Sequence, residues 1–331
     1  MRNWRNWVTA AGVIGIIIFF GLTGCAKRPT PPPDTPDAVV TPPAVAGAFC
    51  SASGQRILDP DGRPLFFIVD TAWQLCERLT MAEIDQYATV RKAQGFNTVM
   101  FNASGAWWVK AGVGRPELWN KMGDVLTLLD SKGLYGVPCV QWTEYDKNGK
   151  PYLRFTPAEC QAMARDVGTL FRDRRNLLFW LVGGLDDYAA CSVSTVKMIG
   201  AGFRQGDPNH LIAYHPRGKH TSIEAIPAGP DNQVPLYHSF QEMDARTIAA
   251  QLRTLDATGL PFANVEPCYE GTWGQFSASA ADVAAVAGVC AAAGVCGMAY
   301  GHHNVWAFTP GKWRAALSAP GVKLFLSSAH P

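Results

Sequence analysis

Glu266 stands where an apolar run, Phe262-Ala-Asn-Val265, breaks against Pro267, a residue with no N–H to continue a strand ladder. A carboxylate delivered to the end of a buried strand is costly unless it is hydrogen-bonded or put to use. Tyr269 and Trp273 follow closely, and aromatic faces beside a carboxylate suit a sugar ring, with its apolar C–H faces and polar edges. Comparable residues end the other apolar runs: Asp70 and Trp73, Asn102, Trp142 and Glu144, Asp186 and Asp187, His215, His238 and Gln241, and His302, His303 and Trp306. Any one of these could be a turn or capping residue, but almost every strand has one. The acidic members set the chemistry. Cleaving a glycosidic bond takes two carboxyl groups flanking it: one protonates the leaving oxygen, and the other attacks the anomeric carbon or activates water. Glu266 and either Asp187 or Asp186 are such a pair if one scaffold brings them together. A metal centre built from His215, His238, His302 and His303 is the rival. No His-x-His or His-Glu-x-x-His spacing supports it, and the carboxylate chemistry needs neither metal nor cofactor.

The scaffold must gather strand ends at one place. Apolar runs at Leu65–Val69, Phe96–Phe101, Leu134–Trp142, Leu177–Val182, Leu211–His215, Leu236–Phe240, Phe262–Val265 and Val295–Tyr300 predict strands buried on both faces. Helices are predicted between most of them. Thr80 and Glu83 form a capping box for a helix that Gly95 stops. Others cover about Pro116–Lys132, Pro157–Arg172 after the cap Thr156, Ser192–Arg204, Ala245–Thr258 and Ala280–Ala293 after the cap Ser279, with a last turn or two at Lys312–Leu317. Eight strands alternating with helices over about 280 residues predict an α/β fold, a single (β/α)8 barrel, whose active sites lie at the C-terminal ends of the strands. A doubly wound open sheet would bring a Gly-rich phosphate loop after its first strand, and Asp70-Thr-Ala-Trp73 is not one.

With 48% hydrophobic and 17% charged residues, the 331-residue chain can bury a sizeable core, and a net charge of +2 argues against nucleic acid as a partner. Residues 1–24 read as a signal peptide: Arg2 and Arg5 precede an apolar stretch too short to cross a membrane comfortably. It ends in Leu22-Thr-Gly-Cys25, which looks like a bacterial lipobox, so Cys25 is expected to carry lipid. Residues 25–48 are Pro- and Thr-rich and read as a tether, leaving 49–331 as the catalytic domain. The expected location is the bacterial cell envelope, exported and held to a membrane through the lipid alone. The eight remaining cysteines can pair or stay as small buried hydrophobes, and their spacing does not choose.

Several motifs taken in order resemble a known family: Phe67-Ile-Val-Asp-Thr-Ala-Trp73, Arg78-Leu-Thr80, Arg91-Lys-Ala-Gln-Gly-Phe-Asn97, Asn176-Leu-Leu-Phe-Trp180 with Gly183-Gly184, His215-Pro216, Glu266-Pro-Cys-Tyr-Glu270 and Tyr300-Gly-His-His-Asn-Val-Trp306. Together they resemble the apiosidase-like catalytic domain of glycoside hydrolase family 140. The resemblance implies a barrel of the large retaining glycosidase clan, with Glu266 as nucleophile and the acid/base after the fourth strand. It also implies pectin side chains, with apiose linked to galacturonic acid, as substrate. The family pattern places an acid directly after Gly183-Gly184, where this chain has Leu185. If the backbone stays extended, side chains alternate faces and Asp187 takes the face of position 185. A one-residue slip brings Asp186 in instead, and Glu144 is in reserve. Loss of the acid would leave a non-catalytic or weakly active glycan-binding lipoprotein. Arg115, Arg217, Lys219 and His220 are placed to hold uronate carboxylates by charge-assisted hydrogen bonds.

Overall fold

The computed structural model describes residues 49–103, 116–140, 144–145, 151–152, 155–183 and 192–329. The expected alternation is present in it. The parallel strands are β1 (Phe67–Thr71), β2 (Thr98–Asn102), β3 (Tyr135–Val140), β4 (Phe179–Val182), β5 (Leu211–Tyr214), β6 (Leu236–His238), β7 (Ala263–Asn264) and β8 (Gly297–Tyr300). They neighbour one another in the order β5-β4-β3-β2-β1-β8-β7-β6, so β1 pairs with β8 and the sheet curls into a (β/α)8 barrel. The ladder is interrupted between β5 and β6. There Gln233 bridges, its backbone N–H donating to Ile212 O at 3.0 Å and its side-chain oxygen accepting from the Ile212 N–H at 3.2 Å. A short antiparallel strand, His220–Thr221, pairs with the open edge of β6.

The helices are α1 (Met81–Gln94), α2 (Pro116–Ser131), α3 (Pro157–Phe171), α4 (Val193–Gly206), α5 (Ala245–Asp256), α6 (Ala280–Ala292) and α7 (Pro320–Ala329). Their starts follow the caps read in the sequence: Thr80 with Glu83, Thr156 with Glu159 and Ser279 with Asp282 form complete capping boxes. Gly95 ends α1 with φ at 108°, a left-handed conformation that favours glycine. The connection from β5 to β6 carries, in place of an α-helix, the short strand His220–Thr221 and a 3-10 turn, Ser222–Glu224. Elements not read from the sequence include α7, an antiparallel hairpin of Gly271–Trp273 and Phe276–Ala278, and a small three-stranded sheet of Ser51–Ser53, Arg56–Leu58 and Pro64–Leu65.

The pleat sorts the strand residues into two sets. Phe67 and Val69, Met100, Val137 and Cys139, Phe179 and Leu181, Leu211 and Ala213, Leu236, Ala263 and Ala299 pack together in the barrel interior. Their neighbours in sequence pack outward, Val99, Phe101, Trp180, Val182, Ile212 and Tyr214 in one cluster with the helices and Ile68, Tyr237 and Met298 in another. This parity decides which strand-end residues reach the mouth. Among the described residues no helix is long and apolar enough to cross a membrane. The signal-peptide, lipidation and tether assignments, Cys25 included, lie outside the described residues.

Candidate active site

Glu266 is held by side chains from four places on the barrel. Its Oε1 accepts hydrogen bonds from Trp73 Nε1, after β1, at 2.9 Å and from the hydroxyl of Tyr269. The same indole N–H also reaches the Tyr269 oxygen at 3.0 Å. The other oxygen, Oε2, faces two imidazoles at ion-pair distance: His215 Nε2, after β5, at 2.9 Å and His238 Nε2, on β6, at 3.2 Å. His238 Nδ1 lies 3.0 Å from the Pro216 carbonyl, a pure acceptor, so that nitrogen donates there, and a second proton, which makes the ring an imidazolium, sits on Nε2 facing the carboxylate. Burial pushes the Glu266 carboxyl up. Against it, the charge of His238, the contact and charge of His215 and the Tyr269 hydroxyl hold its pKa down at about 2. The group is therefore an ionised, buried carboxylate at neutral pH, fixed in rotation by its two donors.

The remaining predicted residues divide. Trp73 is buried, 2% exposed; it acts as a donor to Glu266 and offers no open face for a sugar. Tyr269 is likewise buried against Glu266 and not open as a stacking surface. Asp70 does not face the mouth. Two positions along β1 from Ile68, it points to the helix layer, where it pairs with Arg91, Nε to Oδ2 at 2.7 Å. Asn102, half-buried at the end of β2, lies with its Nδ2 3.5 Å from Glu77 Oε1. Gln241 is buried, in a left-handed conformation like Phe240 before it. His302 caps a one-turn helix, His303–Trp306, its Nδ1 accepting from Asn304 N–H at 3.0 Å. Burial, then His302, pushes His303 down to about 4, so it is neutral at pH 7. Lys219 and His220, expected to grip uronates, lie against carboxylates of their own, Glu242 at 3.4 Å and Glu224 at 2.6 Å. Trp142, Asp186, Asp187 and Arg115 lie outside the described residues, as do the side chain and surroundings of Glu144; β4 ends at Val182, just before the segment with the two aspartates.

Two acidic residues were passed over in the sequence. Glu77, in a one-turn helix after β1, approaches Asn102, and an acid in the first βα loop was the available signal. Glu270 is buried and structural: Oε2 accepts from the Tyr300 hydroxyl at 2.6 Å and Oε1 from the Gly321 N–H at 2.9 Å, which ties the β7 loop to α7. Of the cysteines, Cys50, Cys76, Cys160, Cys268, Cys290 and Cys296 are free thiols, most of them buried as small hydrophobes.

His215, His238 and Glu266 are the described residues that could hold a metal ion, one ligating atom of each lying within 4.8 Å of the others. An ion there would occupy the oxygen that Trp73 and Tyr269 leave uncovered. His302 and His303 are not part of that group.

Gly301 protects the arrangement. A Cβ at this position would come within 1.9 Å of the Tyr269 ring and 2.8 Å of Thr71 Oγ1. Gly301→Ala is therefore expected to displace Tyr269 from Glu266, cutting kcat/KM by about tenfold or more and costing about 1–3 kcal/mol of stability. Steady-state kinetics beside urea unfolding check it; wild-type values in both refute the contact.

The apiosidase-like catalytic domain model matches residues 52–326. The chain belongs to the apiosidase-like family, and its catalytic domain is that of a glycoside hydrolase. No curated protein matches by sequence. Solved structures share the fold at low identity. A glycoside hydrolase has a TM-score of 0.70 at 20% identity, over 84% of this chain and 73% of that one. A family 5 glycoside hydrolase from Bacteroides vulgatus has 0.69 at 20%, over 82% and 68%. A beta-glucanase from Saccharophagus degradans, in complex with cellotetraose, has 0.62 at 11%, over 86% and 94%.

Proposed function

We propose that this glycoside hydrolase is a retaining enzyme, exported and lipid-anchored, acting on side chains of pectin-type polysaccharides. The observation that carries the reading is Glu266, an ionised carboxylate buried at the barrel mouth and oriented by Trp73 and Tyr269. In the first step Glu266 attacks the anomeric carbon as the bond to the leaving oxygen breaks, and Asp187 or Asp186 gives that oxygen its proton. The sugar is then an ester of Glu266. In the second step the same aspartate, now a carboxylate, takes a proton from water, whose oxygen attacks the anomeric carbon and releases Glu266. The donors on Oε1 favour the anionic carboxylate and so favour its departure. The lipobox at Cys25 and the Pro-rich tether support attachment to the envelope.

Leu185, at the place of the family's acid, favours a second reading, a glycan-binding lipoprotein with little or no turnover. Incubation with pectic rhamnogalacturonan fragments separates the two. The expected result is sugar release with the anomeric configuration retained, followed by NMR. Inversion would refute double displacement, and binding without release would select the second reading.

A further inference from the structure

The segment Gly271-Thr-Trp-Gly-Gln-Phe-Ser-Ala278 pairs Gly271 with Ala278, Thr272 with Ser277 and Trp273 with Phe276. Gly274, at φ 58°, allows the two-residue turn at the tip. Directly opposite residues of an antiparallel pair share a face, so Trp273 and Phe276 stand side by side. Their rings stack, centroids 6.1 Å apart and planes 27° apart. Trp306, from the β8 loop, lies 6.4 Å from Trp273 at 29°, and His303 lies 5.7 Å away at 31°. Trp73, Trp180 and Trp313 are buried, whereas Trp273 is 52% exposed. An indole backed by near-parallel rings and left half-open is a flat apolar surface held in a fixed plane.

That surface is continuous with the site at both ends. His303 contacts the Tyr269 ring at 5.4 Å, and Tyr269 donates to Glu266. Phe276 contacts Phe240 at 5.4 Å, and Phe240 contacts His238 at 5.5 Å, the imidazole facing Glu266 Oε2. An occupant reaching from Glu266 onto Trp273 therefore begins as a glycan, and a sugar ring laid on the indole presents its C–H face to it.

We propose that Trp273 is the platform of a second sugar subsite, next to that of the sugar bonded at Glu266, and that it makes the enzyme select substrates of two or more sugar residues. The inference rests on the glycoside hydrolase reading of Glu266. It adds a residue that sets substrate length, carried by a hairpin and not by a barrel strand.

The test measures binding and turnover separately. In a Glu266→Gln background, pectic fragments of increasing length are titrated by calorimetry. Affinity is expected to rise from the monosaccharide to the disaccharide. Trp273→Ala should remove about tenfold of that gain and Trp273→Phe should recover most of it. In the active enzyme Trp273→Ala should raise KM for the longer fragments more than it lowers kcat. Wild-type turnover with no length-dependent loss in Trp273→Ala overturns the subsite and leaves the hydrolase reading standing. No release by the wild type and no binding by Glu266→Gln defeats the hydrolase reading itself. Concentration-dependent dimerisation abolished by Trp273→Ala overturns the proposal in favour of a contact between copies of the chain.

Discussion

Glu266→Gln is expected to lower kcat by at least about 10³-fold on any glycan the wild type hydrolyses. Gln keeps the shape and an acceptor for Trp73 and Tyr269, so the fold and the donor contacts survive while the nucleophile is lost. Near-UV circular dichroism should be unchanged. Activity within tenfold of wild type would sink the assignment. Glu266→Ala adds a second arm, because the space it opens can admit a small external nucleophile such as azide, and a glycosyl azide product would show the anomeric carbon bound at that place. Asp186→Asn and Asp187→Asn, measured alongside, identify the acid/base as the variant whose loss shrinks with a better leaving group. The pH dependence has a definite sign. Glu266 is depressed in the folded protein from an ordinary value of 4.5 to about 2, so its ionised contacts stabilise the fold fully above about pH 4.5, and that contribution is lost as pH falls toward 2. Titration of Glu266 therefore sets no limb of activity above about pH 3, and the alkaline limb, where the proton donor is lost, is expected to disappear in whichever of Asp186→Asn and Asp187→Asn removes the general acid; an alkaline limb unchanged in both variants would contradict the assignment.

The barrel was legible because its signals are local and repeated. Apolar runs of strand length recur, and Thr80, Thr156 and Ser279 mark helix starts through hydrogen bonds that sequence spacing specifies. Glu266 was legible for a similar reason, since Pro267 ends its strand and the carboxylate must be accounted for. Its partners were found as residues but not as roles. Trp73 and Tyr269 were read as sugar-facing, and only their depth and the direction of their polar atoms make them donors to Glu266. The Trp273 hairpin escaped because Gly274-Gln275 is a weak turn signal and its strands are three residues each. α7 escaped because it opens with Pro320-Gly321 and depends on a tertiary contact, the Glu270 carboxylate on the Gly321 N–H. Asp70 was misplaced by reading the strand end without the pleat: Phe67 and Val69 face inward, so Ile68 and Asp70 face out.

That outward aspartate gives the largest expected stability effect. Asp70 and Arg91 have fully buried side chains, and the carboxylate oxygen that meets Arg91 Nε also accepts from the Tyr87 hydroxyl. Arg91 Nη1 donates to Gln94 Oε1 at 2.8 Å and to the Leu317 carbonyl at 3.2 Å, while its guanidinium lies 5.0 Å from the Phe96 ring centroid and 5.5 Å from that of Tyr300. The pair thus joins β1, α1 and the segment leading to α7 behind the wall that carries Trp73. Removing one partner leaves the other charge in a site with no water to take it, which costs about 3–5 kcal/mol. Asp70→Asn and Arg91→Met should each show that loss in urea unfolding, with a fall in Tm of about 10 °C. The double variant should lose less than the sum of the two, because neither charge is then stranded. Single variants within about 1 kcal/mol of wild type would mean that water reaches the pair and screens it. Full additivity would mean that the two side chains act on stability separately. Catalysis should follow the fold: below the melting transition of each variant KM is expected to change little, since Asp70 faces the helices and makes no contact with Glu266.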